Sequence, residues 1–270
     1  MSQEANLDAY LKRLNFSGSI APVAETLALL HQLHPAAIPF ENLDPLMELP
    51  VRLQLSDLEQ KLIVERRGGY CFEHNLLFKA VLEAMDFTVK PLAARVLWGH
   101  GEDEERPLNH MVLAVETDGT EYLADVGFGG QVLTAPLRLV AGLEQETPNE
   151  RFRLMGGDPD WRLESDIKGE WKPLYSFDMT ERTLEDYVAM NDAVAPTFFG
   201  DLRVARSEPG KRFNLRNTRL NTHTGGETET RTLSTLLEIR DVLTTVFGIQ
   251  LPQTDRLDPA LEKALRPAAA

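Results

Sequence analysis

Apolar residues recur at helical spacing through the first third of the chain and at strand spacing through the middle. Leu7, Tyr10, Leu11 and Leu14 fall three and four residues apart, and a second run from Ala24 to His34 puts Thr26, Leu27, Leu29 and Leu30 on its apolar side. A proline-bounded connection, Ile38 to Pro45, follows, and Leu55 to Val64 reads as another helix with Ser56 as its N-cap. Glu41 and Asn42, polar between apolar neighbours, are placed to pin that connection to Arg66 or Arg67. Past Gly68 and Gly69 the stripe Phe72, Leu76, Leu77, Ala80, Val81 and Ala84 predicts a helix that starts at Cys71 and closes a helical bundle over residues 1–86.

From Phe87 the period shortens. Strands are expected over residues 89–98, 108–116, 121–128, 132–140, 151–155, 161–167 and 171–177, with an acidic, solvated loop at 99–107. Short strands separated by Gly, Pro, Asp and Glu predict an antiparallel sheet or partly closed barrel, the core of a module over residues 87–199. A short helix at 183–190 leads into the apolar connector 193–200. A third module, 200–270, would hold strands at 212–220 and 228–233 around Gly225-Gly226, a helix at 235–247 stopped by Gly248, and a last turn or two at 259–266. The fold class is α+β.

One turn fixes a register. Asp118-Gly119 is a two-residue hairpin signal, and with Thr117 opposite Thr120, counting down the strands sets His110 across from Gly127 and Asp125 across from Val112. His110 and Asp125 then share a face as diagonal neighbours roughly 7–8 Å apart at the backbone, close enough for their side chains to meet. A glycine opposite His110 leaves space above the ring.

Composition narrows the field. At 43% hydrophobic, 270 residues can bury a large core in two or three modules. A net charge of −14 disfavours nucleic acid and anionic membranes as partners, although local Arg clusters and helix N-termini can still take a small phosphorylated ligand. The opening Met1 to Asn6 carries no signal-peptide pattern and no run reaches the length of a membrane span, so a soluble, cytoplasmic protein is expected. One cysteine allows no internal disulfide, which fits a reducing compartment.

That cysteine holds the chemistry. Cys71 in a first helical turn meets unpaired N–H groups and the positive end of the helix dipole, which favour thiolate, while Gly68 and Gly69 keep bulk away from the sulfur. His110 would take its proton, and Asp125 would hold the other ring nitrogen. Alternatives stand beside this reading. Cys71 could be a small buried hydrophobe; His74, three residues on, is a rival base or a solvent-facing helix residue; and Cys71, His74, His110 and Asp125 could form a zinc set.

Arg66-Arg67-Gly68-Gly69-Tyr70-Cys71-Phe72-Glu73, together with Ile38-Pro39-Phe40-Glu41-Asn42-Leu43, Ala94-Arg95-Val96, His110 and Ala124-Asp125-Val126-Gly127-Phe128-Gly129-Gly130, resembles the bacterial arylamine N-acetyltransferases over most of the chain. The resemblance implies a helical domain, a β-barrel domain and an α/β lid around a papain-like core, with Cys71, His110 and Asp125 as the triad and no role for His74 as base. It also implies acetyl-CoA as the acetyl donor, no metal, and ping-pong transfer through acetyl-Cys71 to a small aromatic amine or hydrazine. Phe40, Phe128 and Phe199 would wall the aromatic pocket, and Gly127, Gly129 and Gly130 would let backbone approach CoA. A departure falls at Ala195-Pro196-Thr197-Phe198-Phe199, where the family tends to carry Pro-x-Ser-x-Phe. The same triad would also serve a cysteine hydrolase or a transglutaminase-like enzyme.

Overall fold

A helix at Cys71–Ala84 runs through the middle of the molecule, and almost every side of it is covered. The computed structural model describes residues 4–100 and 106–265. The central part of the expected acidic loop, residues 101–105, and Arg266 at the end of the expected last helix lie outside them. The helices are α1 (Leu7–Leu14), α2 (Ala24–Ala37), α3 (Leu43–Leu46), α4 (Leu55–Leu58, continued by a π-helical turn Glu59–Val64), α5 (Cys71–Ala84), α6 (Leu184–Val194), α7 (Leu236–Thr245) and α8 (Leu257–Leu265). None of the described helices is long and apolar enough to cross a membrane.

Burial departs from the expected stripes where helices pack on two sides. On α5, Phe78 and Leu82 are buried together with Phe72, Leu77 and Val81, as are the polar Glu73, His74 and Asn75, whereas Ala84 is exposed. On α2 the buried side is Thr26, Leu27, Leu30, His31 and His34, and Leu29 points outward. Ser56 does not cap α4: the helix already begins at Leu55, so the residue at the cap is Gln54, which makes no side-chain capping bond.

Eight antiparallel strands form a near-closed barrel-like sheet. They are β2 (Thr88–Val96), β3 (His110–Thr117), β4 (Thr120–Ala124), β5 (Leu137–Arg138), β6 (Glu144–Glu146), β7 (Arg151–Gly157), β8 (Asp160–Ile167) and β9 (Glu170–Glu181), ordered β5-β4-β3-β2-β9-β8-β7-β6. At the seam the Gln145 amide bonds both the N–H and the C=O of Arg138, at 2.8 and 3.0 Å, joining the first strand of the sheet to the last. Alternation along β3 explains why it is buried on both faces: Met111, Leu113 and Val115 pack on the helices, and Val112 and Ala114 fill the barrel.

The hairpin register is the expected one, Thr117 opposite Thr120 and Leu113 opposite Ala124. Strand β4 stops at Ala124 rather than reaching residue 128, because the Asp125 carboxylate takes the Gly127 N–H at 2.9 Å and turns the chain away. The expected strand at 132–140 shrinks to two residues.

A second sheet orders β1 (Phe40–Glu41), β10 (Arg203–Glu208), β11 (Lys211–Arg216), β12 (Arg219–Thr224) and β13 (Glu227–Thr232) in the sequence β1-β10-β11-β12-β13. The single strand expected over 212–220 is a hairpin, folded at Asn217, whose φ of 52° lies in the left-handed region that Asn tolerates. Strand β1 comes from the N-terminal region of the chain, and Leu43, Leu46 and Met47 beside it pack into the core formed by this sheet with α7 and α8. One face of the sheet is buried there through Val204, Leu215 and Leu220; the other carries Phe40, Ala205 and Asn214 in one cross-strand row.

Candidate active site

The glycines before α5 are required by what they touch. A Cβ on Gly68 would lie 1.9 Å from the Pro39 carbonyl oxygen, and one on Gly69 would meet the Glu73 side chain, which folds back to accept the Tyr70 N–H at 2.9 Å. Glu73 also accepts from Lys61 at 2.7 Å, and Lys61 bonds Asp44 at 2.5 Å. Arg67, rather than Arg66, pins the preceding connection, bonding Glu41 at 2.7 Å and Asp44 at 2.8 Å. Asn42 is engaged elsewhere, through the Asp201 carbonyl and the Arg203 N–H. Cys71 is thus delivered at the first turn of a helix whose entry is held by a buried ion network. It is free, 6% exposed, with Sγ 4.0 Å from the Asn109 carbonyl oxygen.

His110 and Asp125 meet, Nε2 to Oδ2 at 2.7 Å and both buried, although the β3–β4 ladder ends at Leu113–Ala124 and neither the His110–Gly127 nor the Val112–Asp125 pairing forms. Asp125 is held from all sides. Its Oδ1 accepts from Asn75 Nδ2 at 3.0 Å and from the Gly127 N–H, and its own N–H donates to His31 Nε2 at 3.0 Å. Burial opposes charge on both partners, yet their mutual attraction outweighs it, holding His110 well above and Asp125 below their usual values; Cys71 beside His110 adds to the first effect. With Nε2 taken by Asp125, Nδ1 is the nitrogen left for Cys71.

Space above the His110 ring is filled rather than open. Phe128 stands edge-on at 5.2 Å and Tyr175 lies at 5.1 Å between ring centroids. Gly127 fits instead against α5, where a Cβ would come within 2.9 Å of the Cys71 Cα and carbonyl oxygen and of Asn75 Nδ2. A Cβ on Gly129 would come within 3.3 Å of the Phe40 ring, and Gly130 faces Asn214, whose Nδ2 donates to its carbonyl at 3.4 Å. Phe40 packs against the α5 core, whereas Phe199 is 48% exposed. Its neighbour Phe198 makes the contacts, edge-on to Tyr70 at 5.5 Å, within a 3₁₀ turn (Ala195–Phe198) where Thr197 Oγ1 donates to the Val194 carbonyl at 2.7 Å.

His74 is not solvent-facing; it is fully buried, with both ring nitrogens bonded to groups other than Cys71. Among the described residues no group of three or more His, Cys, Asp or Glu side chains is disposed to hold a metal ion. Sequence reasoning missed Asn75 and His31. Asn75 stands four residues after Cys71, so helical spacing puts it on the same side, where the one amide side chain of the helix is the signal. It donates to the Met111 carbonyl and accepts from the Val126 N–H as well, lacing α5 to β3 and to the turn after β4.

A family model described as N-acetyltransferase matches residues 24–256. The arylamine N-acetyltransferase of Mycolicibacterium smegmatis is 40% identical over 256 residues, 91% of this chain and 92% of that protein. The Escherichia coli K12 enzyme of the same name is 43% identical over 185 residues, 68% of this chain and 66% of its own. Among solved structures, Mycobacterium marinum arylamine N-acetyltransferase aligns with a TM-score of 0.93 at 38% identity, covering 97% of this chain and 100% of its own. A structure of that enzyme in complex with CoA aligns at 0.92 and 37% identity, over 96% and 99%. Helical bundle, near-closed barrel and these matches together define an acyltransferase. More narrowly, the chain belongs to the arylamine N-acetyltransferase family.

Proposed function

We propose that this protein transfers acetyl from acetyl-CoA to arylamines and arylhydrazines by a ping-pong route through acetyl-Cys71. The observation that carries the proposal is the 2.7 Å His110–Asp125 contact beside a cysteine at the start of α5. His110 Nδ1 takes the Cys71 proton, and Asp125 stabilises the imidazolium so formed. The sulfur attacks the acetyl carbonyl, the carbon–sulfur bond to CoA breaks, and the CoA sulfur leaves with the proton from His110. An arylamine nitrogen then attacks acetyl-Cys71, gives its proton to His110, and leaves as the amide; Cys71 is regenerated as the thioester bond breaks. Both tetrahedral intermediates carry an oxyanion, for which the Cys71 N–H, with no intrahelical partner in the first turn, is the donor.

Phe40 and Phe128 are the proposed walls of the aromatic pocket, with exposed Phe199 free to close over a bound ring. The backbone around Gly127, Gly129 and Gly130 is the proposed neighbour of CoA, in keeping with the CoA complex of the M. marinum enzyme. Helical, barrel and lid modules over 1–86, 87–199 and 200–270 go with this reading, as does a reducing cytoplasm, where a lone thiol stays free.

Mass spectrometry of the protein mixed with acetyl-CoA should show one acetyl group on Cys71 that persists until an arylamine is added, and Cys71→Ala should transfer none. Transfer by the Ala variant, or release of free acetate without an amine, would sink the proposal.

A further inference from the structure

Three buried side chains and one carbonyl form a line of hydrogen bonds that the reaction above does not use. Tyr10 Oη lies 2.8 Å from His34 Nδ1, His34 Nε2 lies 2.8 Å from His74 Nδ1, and His74 Nε2 lies 3.2 Å from the Pro39 carbonyl oxygen. Tyr10, His34 and His74 are all 0% exposed. Only one arrangement of protons satisfies the line. A carbonyl can only accept, so His74 carries its proton on Nε2 and accepts at Nδ1; His34 therefore donates from Nε2 and accepts at Nδ1; the Tyr10 hydroxyl donates to it. Burial keeps both rings neutral, pushing His74 down to about 4 and His34 well below its usual range. A second proton on His74 would set two N–H groups against each other, so the ring is a fixed donor and not a proton carrier.

What it holds is the residue before Phe40. The Pro39 carbonyl is wedged against Gly68, the Glu41 N–H donates to the Gly69 carbonyl at 2.7 Å, and Phe40 pairs with Ala205 at the edge of the second sheet while its ring covers Gly129. Among the hydrogen bonds of these ties, the one to Pro39 is made by a side chain of α5 itself, one helical turn from Cys71. We propose that His74 is a positioning residue for the acceptor half of the reaction: its bond to Pro39 sets the distance between the Phe40 wall and Cys71. The proposal rests on the reading of Phe40 as a pocket wall. It assigns His74 an effect on arylamine binding and none on acetylation of Cys71, because the thiol, His110 and Asp125 are held by other contacts.

Two substitutions separate the ends of the ring. Asn keeps a polar atom where Nδ1 meets His34 but is too short for Pro39, whereas Gln reaches Pro39 with an N–H. In the full-length chain, His74→Asn should raise KM for p-anisidine roughly ten- to a hundredfold, the scale on which a misplaced positioning group acts, and His74→Gln should restore it. In both variants, quench-flow mass spectrometry with acetyl-CoA alone should show acetyl-Cys71 forming within about twofold of the wild-type rate, well inside a tenfold step. Should the Asn variant lack a cooperative thermal transition, His74→Met, which fills the ring's volume without a donor, takes its place with the same expectation. Equal KM values in the Asn and Gln variants, or a parallel loss in acetylation and acceptor turnover, would overturn the role of His74. Failure of the wild type itself to form acetyl-Cys71 would instead overturn the proposed function.

Discussion

A single carboxylate sets the behaviour of His110. Asp125 has both oxygens occupied by donors and raises the His110 pKa to about 10 against the effect of burial. The folded value lies above the unfolded one, so the pair's stabilisation is fully present below the usual histidine value of 6.5 and is lost as pH rises through the folded one. Asp125 is shifted the other way, and its share is lost only as pH falls through a value below the usual 3.8. The thermal midpoint of Asp125→Asn should therefore lie furthest below wild type near pH 6, with the gap narrowing toward pH 10. The same change should slow Cys71 acetylation by on the order of a hundredfold or more, since an amide can hold the ring in the wrong tautomer. A gap that widens with pH would contradict the assignment. This pair was legible in the sequence because a two-residue turn sets β3 against β4 and so brings the start of one beside the end of the other, although the ladder itself stops at Leu113–Ala124. His31 and Asn75, which hold Asp125 in place, were not: helix-on-sheet packing brings the Asp125 N–H to His31 and its carboxylate to Asn75, and local spacing shows only that Asn75 shares a helix side with Cys71, not what it meets.

At the scale of elements, the start of α5 depends on the turn after β4 fitting against it without a side chain. A Cβ at Gly127 would press on backbone atoms of Cys71, which cannot rotate away as the end of a flexible side chain could. Gly127→Ala should cost about 1–3 kcal/mol in urea denaturation, the usual range for overpacking a tight interior, and should cut acetylation because the displaced atoms belong to the nucleophile. Gly119→Ala is the control: its φ of 70° is strained for alanine, but nothing lies within 4 Å, so it should lose stability by up to about 1 kcal/mol and keep its activity. Equal losses of activity in the two variants would rule out the packing argument. Long elements with their own signals were legible, such as α7, where Thr235 and Glu238 cap each other's backbone N–H groups and Gly248 follows. Short ones were not. Strand β1 has two residues and exists only because β10 lies beside it, and β6 is polar throughout, with no alternation to read.

Across the whole molecule, the N-terminal helices and the edge of the second sheet meet at one buried charge network. Arg67 joins Glu41 of β1 to Asp44 of α3, and Lys61 joins Asp44 to Glu73 of α5, so the residues that form the edge of the second sheet are tied to the helix that carries Cys71. Glu41 is 0% exposed, and its second oxygen takes the Leu43 N–H at 2.6 Å, leaving Arg67 as the cation bonded to it. Removing that cation strands a buried carboxylate, which costs far more than a surface pair would, about 3–5 kcal/mol. Arg67→Met should lower the unfolding free energy by that amount in urea titration at neutral pH. Adding Glu41→Gln should return part of the loss, because a neutral amide keeps an acceptor for the Leu43 N–H without leaving a charge in a dry site. If the double variant proves no more stable than Arg67→Met alone, the network holds these parts together by shape rather than charge, and the ion pair is incidental to how α5 meets the second sheet.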